Sequence, residues 1–467
     1  MQINMTTFKQ DILPAAKDLF FVGGFVRDVL SGRKPADYDI VCCSDAEEAA
    51  RQIAVKTNGS LVKLGKPGQI LFKVVSDKNI FDISPLNGNS IEADLKQRDF
   101  TINAMACSVS TGTIIDCTGG LQDLKSKQIR MVSKEAFKKD PLRLLRAYRF
   151  AAALNFKIEP ATAKAIIKNT KLIVNSAGER VQVEILKLMD ASAAYQHLAD
   201  MAASGLLFVI FPELDPLRGC EQNQHHIYDV FEHTMNSFYH LEELLNNAES
   251  LNMLTSVHEN LFADKKKSAL LKLAILLHDT GKPSSGTIDE KGNYHFYGHA
   301  AVGADMSKKI CGRLKMSSSE TCFINFIIRY HLRPLSLYRL CLEKKLTSKA
   351  VTRFFRKCHK YTPYILLHAI ADSYGKSHKP DKDFKKFSLD LINNYFTDFQ
   401  PLRLAPPLIT GNDLIKELGL KPSPLFGKIL NHVEEARLSK EISNKKSALK
   451  LAKEFTGKRG HILNIQY

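Results

Sequence analysis

No two cysteines in this chain are spaced C-x-x-C, and their count, nine, is odd. That argues against a disulfide framework and a zinc finger, and for a reducing compartment. The opening residues, MQINMTTFKQD, lack the charged segment and apolar stretch of a signal peptide. No uninterrupted apolar run approaches the ~20 residues a membrane helix needs, so a cytoplasmic protein with no membrane partner is expected. Internal repeats and long low-complexity tracts are missing too, and nothing in the sequence points to a protein partner.

What is present in excess is positive charge. There are 66 Lys and Arg against 49 Asp and Glu, a formal net charge of +17 spread along the whole chain. Such an excess favours a polyanionic partner, nucleic acid or an acidic membrane surface. At 467 residues the chain exceeds one ordinary core, so two to four domains are expected. Up to about residue 135, short β-rich runs (FFVGG, DYDIVCC, ILFKVVS, NIFDIS, TIIDC) alternate with helical stretches. Beyond that, helix-period segments take over, with Pro- and Gly-marked breaks near 211–224 and a polar stretch at 373–384. The expected organisation is an α/β head at 1–135 with a small mixed or antiparallel sheet, a helical neck at 136–215, a helical body at 216–380 and a helical tail at 381–467.

The head carries chemistry in two neighbouring pieces. A strand ending at Val22 runs into Gly23-Gly24 and then Phe25-Val26-Arg27-Asp28, where a helix starts. Glycines at a strand-to-helix turn let backbone N–H groups approach a phosphate, and the helix N-terminus adds a positive partial charge. Ten residues on, Asp37 and Asp39 sit at i and i+2 of a strand, so both carboxylates take one face. Adjacent carboxylates repel unless a cation lies between them, and Mg²⁺ characteristically bridges carboxylates to substrate phosphates. Together the two pieces place a triphosphate cradle against a metal site suited to phosphoryl transfer. Asp82, in Ile80-Phe81-Asp82-Ile83, is a candidate third carboxylate.

These residues make the chain recognisable. GGFVRD with DYD resembles the bacterial tRNA nucleotidyltransferase / poly(A) polymerase family, whose head is polymerase-beta-like. QRDFTINAMA (97–106) is similar to its R-R-D-x-x-x-N-A motif, DCTGGLQDL (116–124) to D-x-x-G-G-x-x-D-L, DPLRLLRAYRFAAAL (140–154) to E-D-x-x-R, and GERVQVE (178–184) to E-R-x-x-x-E. The resemblance implies that Asp37 and Asp39 bind catalytic metal ions and that Gly23, Gly24, Arg27 and Asp28 surround the triphosphate. It further implies that Arg98, Asp99 and Asn103 contact the incoming nucleotide, and that Asp140 and Arg143 pair with the base edge as a protein template. A carboxylate and a guanidinium at i and i+3 of a helix share a face, and their donor–acceptor pattern suits cytosine and adenine. Two positions depart from the family pattern: Gln97 replaces the first Arg of R-R-D, and Lys139 the acid of E-D-x-x-R. Only fifteen residues separate Asp82 from Arg98, a shorter stretch than full CCA-adding members commonly show; CC-adding members shorten a loop in this region.

The body carries a second constellation: His233, the pair His278-Asp279 in HDTGK, then His299, His331 and Asp372. This order resembles the HD phosphohydrolase superfamily. It implies a first metal site of His233, His278, Asp279 and Asp372 and a second completed by His299 and His331, with His225 and His226 as weaker extras. Mixed imidazole and carboxylate ligands on separate helices suit Mn²⁺, Ni²⁺ or Fe²⁺. The expected activity is addition of C and/or A to the tRNA 3′ end from CTP and ATP, all or part of CCA. CC-only or A-only addition and poly(A) synthesis are the alternatives within the class, and an HD phosphohydrolase with a nucleotide-binding head is the alternative outside it.

Overall fold

The computed structural model describes residues 13, 18–35, 37–65, 70–77, 79–222, 227–247, 261, 264–377 and 379–463; His225 and His226 lie outside them. The chain divides into two compact units, Met1–Pro212 and Glu213–Tyr467. No described helix is long and apolar enough to cross a membrane.

The first unit is built on β1 (Leu19–Val22), β2 (Tyr38–Cys42), β3 (Ser60–Leu64), β4 (Leu71–Val75), β5 (Ile80–Pro85), β6 (Ala106–Ser108) and β7 (Ile114–Ile115). They form one sheet in the order β3-β4-β5-β2-β1-β6-β7. Only β2 and β5 run parallel, so the sheet is mixed. The aromatic and β-branched strand residues explain its two-sided burial. One face packs Phe21, Ile40, Val74, Phe81 and Ile83 against helices α1 (Gly23–Leu30) and α2 (Ala46–Thr57). Val22 and Val41 point the other way, beneath α3 (Ile91–Leu95).

This alternation decides where the carboxylates go. The Tyr38 ring lies on Phe81 (4.7 Å between centroids) and near Phe25 (5.2 Å), inside the first core. Its neighbour Asp39 therefore takes the opposite face, in register with Asp82 of β5. Asp37 lies just before β2 rather than within it. The remainder of the unit is mostly helical, apart from a small parallel pair of Gln128–Ile129 with Lys157–Ile158, and includes α4 (Gly120–Lys125), α5 (Leu142–Leu154) and α6 (Gly178–Met189).

The second unit is mostly helical. Its relevant elements are α7 (Val230–Asn246), α8 (Lys265–Leu277), a hairpin of β8 (Thr287–Ile288) and β9 (Tyr294–His295), α9 (His299–Arg313), α10 (Ser318–Tyr330) and α11 (Thr362–Tyr374). Every residue of α8 from Ala269 to Leu277 is buried, as its nearly apolar run requires of a helix surrounded by others. Two glycines set the spacing. A Cβ on Gly281 would strike the His299 carbonyl, and one on Gly375 would strike Ser237 of α7. The first brings the end of α8 against the start of α9, and the second lays the end of α11 against the middle of α7.

Candidate functional site

In the first unit, a cavity of about 700 Å³ opens on the sheet face that bears Asp39. Gly23, Gly24, Arg27, Asp28, Asp37, Asp39, Arg98, Asp99, Asn103, Asp140 and Arg143 all line it, and so does Asp82. The carboxylates form one wall. Burial pushes the Asp39 carboxyl above its ordinary range; Arg98 pulls it down, while Asp82 and Asp37 push it up again. Lys73 of β4 stands 2.6 Å from Asp82. Three neighbouring carboxylates with one of them destabilised as an anion form a donor set that fits a hard divalent cation.

The diglycine works differently from the simplest expectation. The Gly23 N–H donates to the Met105 carbonyl (3.3 Å), and the Gly24 N–H is directed at Asp39 rather than outward. The need for glycine comes from crowding. Gly23 has φ +64°, and a Cβ there would sit 3.2 Å from an Arg98 nitrogen; one on Gly24 would sit 3.3 Å from the Asp39 Oδ2. The turn is bare so that a carboxylate and a guanidinium can close over it.

A tightly bonded network of arginines lines the same cavity. Arg27 donates to Asn103 Oδ1 (2.6 Å) and pairs with Asp28 (2.8 Å). Asn103 donates to Asp99 (3.2 Å), which also accepts two bonds from Arg146 (2.9 and 2.6 Å). Burial raises the Asp99 carboxyl, but Arg146 outweighs it and holds the group below the usual carboxylate range. Glu184 of α6 accepts from Arg146 (3.3 Å) and Arg149 (2.8 Å). The Arg149 guanidinium lies 3.5 Å over the Phe150 ring. Asn103 itself rides on a 3₁₀ turn, Thr101–Asn103, braced from behind by the D-x-x-G-G-x-x-D-L segment. There Asp116 accepts from the N–H groups of Gly119, Gly120 and Leu121 (2.9 Å each), and Asp123 accepts from Thr101 (2.6 Å).

Asp140 and Arg143 both face the cavity but do not lie on one helix face as expected. Asp140 precedes α5, accepts from the Leu142 N–H (3.2 Å) and pairs with Arg180 (2.8 Å). Pro141 follows Asp140, and it biases that residue out of helical geometry; its φ of −143° and ψ of 99° are extended. Arg143 donates to the carbonyls of Gln97 (2.8 Å) and Arg98 (3.1 Å). Of the two departures from the family pattern, one has a plain local role. Gln97 pins the β5–α3 connection through the Asn87 carbonyl (3.1 Å), while Lys139 is exposed and does not line the cavity.

The sequence reading missed Arg146, Arg149 and Lys187, which also line the cavity. Their signal was available, since arginines at 143, 146 and 149 recur every third residue of one helix. Arg146→Ala is expected to cost roughly 2–3 kcal/mol of unfolding free energy, because it strands the buried Asp99 carboxylate. Because Asp99 is depressed, its contribution is present above the unfolded value of about 3.9 and fades as pH falls through the folded one. Parent and variant should therefore differ in urea midpoint at pH 7 and converge in acid. Equal midpoints at pH 7 would remove Arg146 as the counter-ion.

The second unit gathers all six of its candidate residues. His233 Nε2 lies 3.0 Å from Asp372 and 3.5 Å from Asp279, His278 Nε2 lies 3.1 Å from Asp279, and His299 Nε2 lies 3.5 Å from Asp279. Three clusters have ligand atoms close enough for one ion: His233–His278–Asp279, His278–His331–Asp372 and Asp279–His299–His331. Each of His278, His299 and His331 bonds through Nδ1 to the carbonyl three residues earlier (2.7, 2.7 and 2.6 Å). That fixes the tautomer and turns Nε2 inward, as metal-bound imidazole requires. Buried Nε2 atoms of His278 and His299 have no hydrogen-bond partner among the described residues, so the set fits a divalent metal.

Charge completes the picture. Burial pushes Asp279 up, yet His278 and Lys282 outweigh it and hold it well below its usual range. Burial lowers His278, but Asp279 and Asp372 raise it to about 10. Two buried carboxylates here demand a cation. The sequence reading missed Lys282, 2.6 Å from Asp279, and His368, fully buried one turn before Asp372 with both ring nitrogens lacking a hydrogen bond among the described residues.

The chain is similar to known proteins along most of its length. The chain matches the poly A polymerase head domain over residues 19–130, the probable RNA and SrmB-binding site of polymerase A over 155–218, the HD domain over 230–375 and the putative tRNA nucleotidyltransferase domain 2 over 307–452. An A-adding tRNA nucleotidyltransferase of Deinococcus radiodurans is 31% identical, covering 91% of this chain and 93% of its own. A CC-adding tRNA nucleotidyltransferase of a Synechocystis species is 32% identical, covering 93% and 92%. The fold is also that of the Thermotoga maritima CCA-adding enzyme complexed with tRNA, with a TM-score of 0.63 at 21% identity over 94% of this chain and 91% of that one. A cavity lined by carboxylates and guanidinium groups, likeness to two nucleotide-adding enzymes over more than nine-tenths of the chain, and a match to the HD domain lead to one conclusion: the chain belongs to the tRNA nucleotidyltransferase family.

Proposed function

We propose that this enzyme adds C and/or A residues, all or part of CCA, to the 3′ end of tRNA from CTP and ATP. The observation that carries the reading is the meeting of Asp37, Asp39, the diglycine turn and the Arg27–Asn103–Asp99–Arg146 chain around one cavity. The terminal 3′-hydroxyl oxygen attacks the α-phosphorus of the nucleotide, a new ester bond forms, and pyrophosphate leaves. Asp37 and Asp39 would hold divalent ions, Mg²⁺ as the natural choice, which supply activation of the hydroxyl and neutralisation of the leaving pyrophosphate. Arg27, Arg98 and Asp28 sit around the phosphate tail, and Arg146, Arg149 and Lys187 add positive charge behind it. Asp140 accepts from the exocyclic amine of cytosine or adenine, and Arg143 donates to the ring acceptor. Arg180 and the two carbonyls they now bond would give way to the base. The nine free cysteines suit a cytoplasmic enzyme.

CC-only addition is favoured among the alternatives by one feature. The β5–α3 connection spans only residues 86–90, and it is tied down by Asn87, whose N–H donates to Asp94 (3.2 Å) and whose amide donates to Gln97 (3.3 Å). Incubating the enzyme with tRNA transcripts lacking CCA, lacking CA or lacking only A, each with one labelled NTP, separates the readings. Labelled CTP should enter while UTP and GTP should not, and ATP entry on the transcript lacking only A would mark a CCA- or A-adding enzyme instead. CTP entry without ATP entry on any transcript assigns CC addition. Indifference to the base sinks the Asp140–Arg143 template.

For the second unit, we infer a metal-dependent phosphoester hydrolase holding Mn²⁺, Ni²⁺ or Fe²⁺ on His233, His278, Asp279, His299, His331 and Asp372. Water adds to phosphorus, the ester P–O bond breaks, and the alcohol leaves with a proton. Lys282 and Lys376 line the adjoining cavity of about 430 Å³ and supply charge for a phosphate.

A further inference from the structure

The cavity beside the histidine cluster has a second wall that the hydrolase reading does not use. Residues 287–297 form the β8–β9 hairpin and its exit, immediately before His299. Tyr297 is 78% exposed, an unusual state for so large an aromatic ring. It is not loose. Its ring stacks on His295 with centroids 5.3 Å apart and planes 9° from parallel. His295 is held in turn by Asp289 (3.0 Å), and Asp289 also accepts from the Lys291 N–H (2.9 Å), the Asn293 N–H (2.8 Å) and the Asn293 amide (3.0 Å). Tyr294 is anchored separately to Glu221 (2.8 Å). The hairpin is therefore a braced support that presents one open aromatic face.

Tyr297 lines the same cavity as Asp279, His299, His331 and Asp372. Lys282, Lys376 and Arg339 line it as well. A ligand that satisfies every feature needs a flat π-system for Tyr297 and an anionic ester for the cations and the histidine cluster. A simple phosphoester satisfies only the second requirement. Stacking on an exposed ring is tolerant of base identity, because every nucleobase has a π-face.

We propose that Tyr297, stacked on His295, is a base-stacking platform that makes the second site selective for nucleoside phosphate esters. The proposal rests on the reading of that site as a phosphoester hydrolase. The chain contains no tryptophan, so Tyr297→Trp installs a single indole fluorophore at the platform. Adenosine 3′-monophosphate should quench it saturably, and glycerol 2-phosphate should not. In Mn²⁺-loaded protein, Tyr297→Ala should raise KM for adenosine 3′-monophosphate roughly tenfold with kcat little changed. Its kinetics on glycerol 2-phosphate should match the parent. Fluorescence that stays unquenched in a Tyr297→Trp protein still able to hydrolyse the nucleotide overturns the platform and leaves the hydrolase reading intact. Equal losses on both esters in Tyr297→Ala also overturn it. If the parent hydrolyses neither ester, the hydrolase reading falls and the proposal falls with it.

Discussion

Asp39→Ala is expected to lower nucleotide incorporation by about 10³-fold or more, equivalent to ~4 kcal/mol of barrier. The size follows from position. Asp39 is the carboxylate in contact with the diglycine turn, in register with Asp82 and next but one to Asp37, so its removal dismantles the acidic wall. Asp37→Ala should behave similarly. Asp82→Ala should cost less, because Lys73 already neutralises that carboxylate at 2.6 Å. The Asp39→Ala chain should fold well: its side chain faces the cavity, and removing it relieves repulsion rather than opening the core. Single-turnover incorporation on a tRNA transcript, with thermal melting as the folding control, measures this. A folded Asp39→Ala protein within tenfold of the parent rate would end the polymerising assignment.

Much of this wall is legible in the sequence. The D-x-D alternation and the Gly-Gly turn have short, local signatures, and the strands bearing them are rich in aromatic and β-branched residues. Two strands of the seven-stranded sheet were not readable. Ser60–Leu64 is an edge strand with mostly exposed side chains, and Ala106–Ser108 is only three residues long, so neither shows a period. The role of the glycines was legible only in part, because the crowding by Arg98 and Asp39 involves residues distant in sequence. The i, i+3 geometry assumed for Asp140 and Arg143 failed for a local reason: Pro141 interrupts the helix between them. In the second unit, the order of His and Asp along the chain identified all six clustered residues. His368 escaped because a lone buried histidine carries no sequence signal of its own; only the three-dimensional packing against His278 and His331 reveals it.

His278→Ala should abolish phosphoester hydrolysis, with a loss of about 10³-fold or more, while leaving nucleotide incorporation unchanged. His278 belongs to two of the three candidate metal clusters, so no other single histidine except His331 touches as much of the site. His278 is fully buried between Asp279 and Asp372, and its removal leaves those carboxylates short of positive charge. The variant should therefore lose bound transition metal as measured by elemental analysis, and it should melt at a lower temperature than the metal-loaded parent. His278→Gln separates the two effects, since it keeps volume and polarity yet cannot replace imidazole as a ligand. It should recover part of the stability and none of the hydrolysis. The reciprocal variant, Asp39→Ala, should retain full hydrolysis, because the acidic wall and the histidine cluster draw their ligands from separate units of the chain. Hydrolysis that survives in folded, metal-depleted His278→Ala would mean the cluster only holds the helix ends together, and loss of hydrolysis in Asp39→Ala would trace it to the first unit instead.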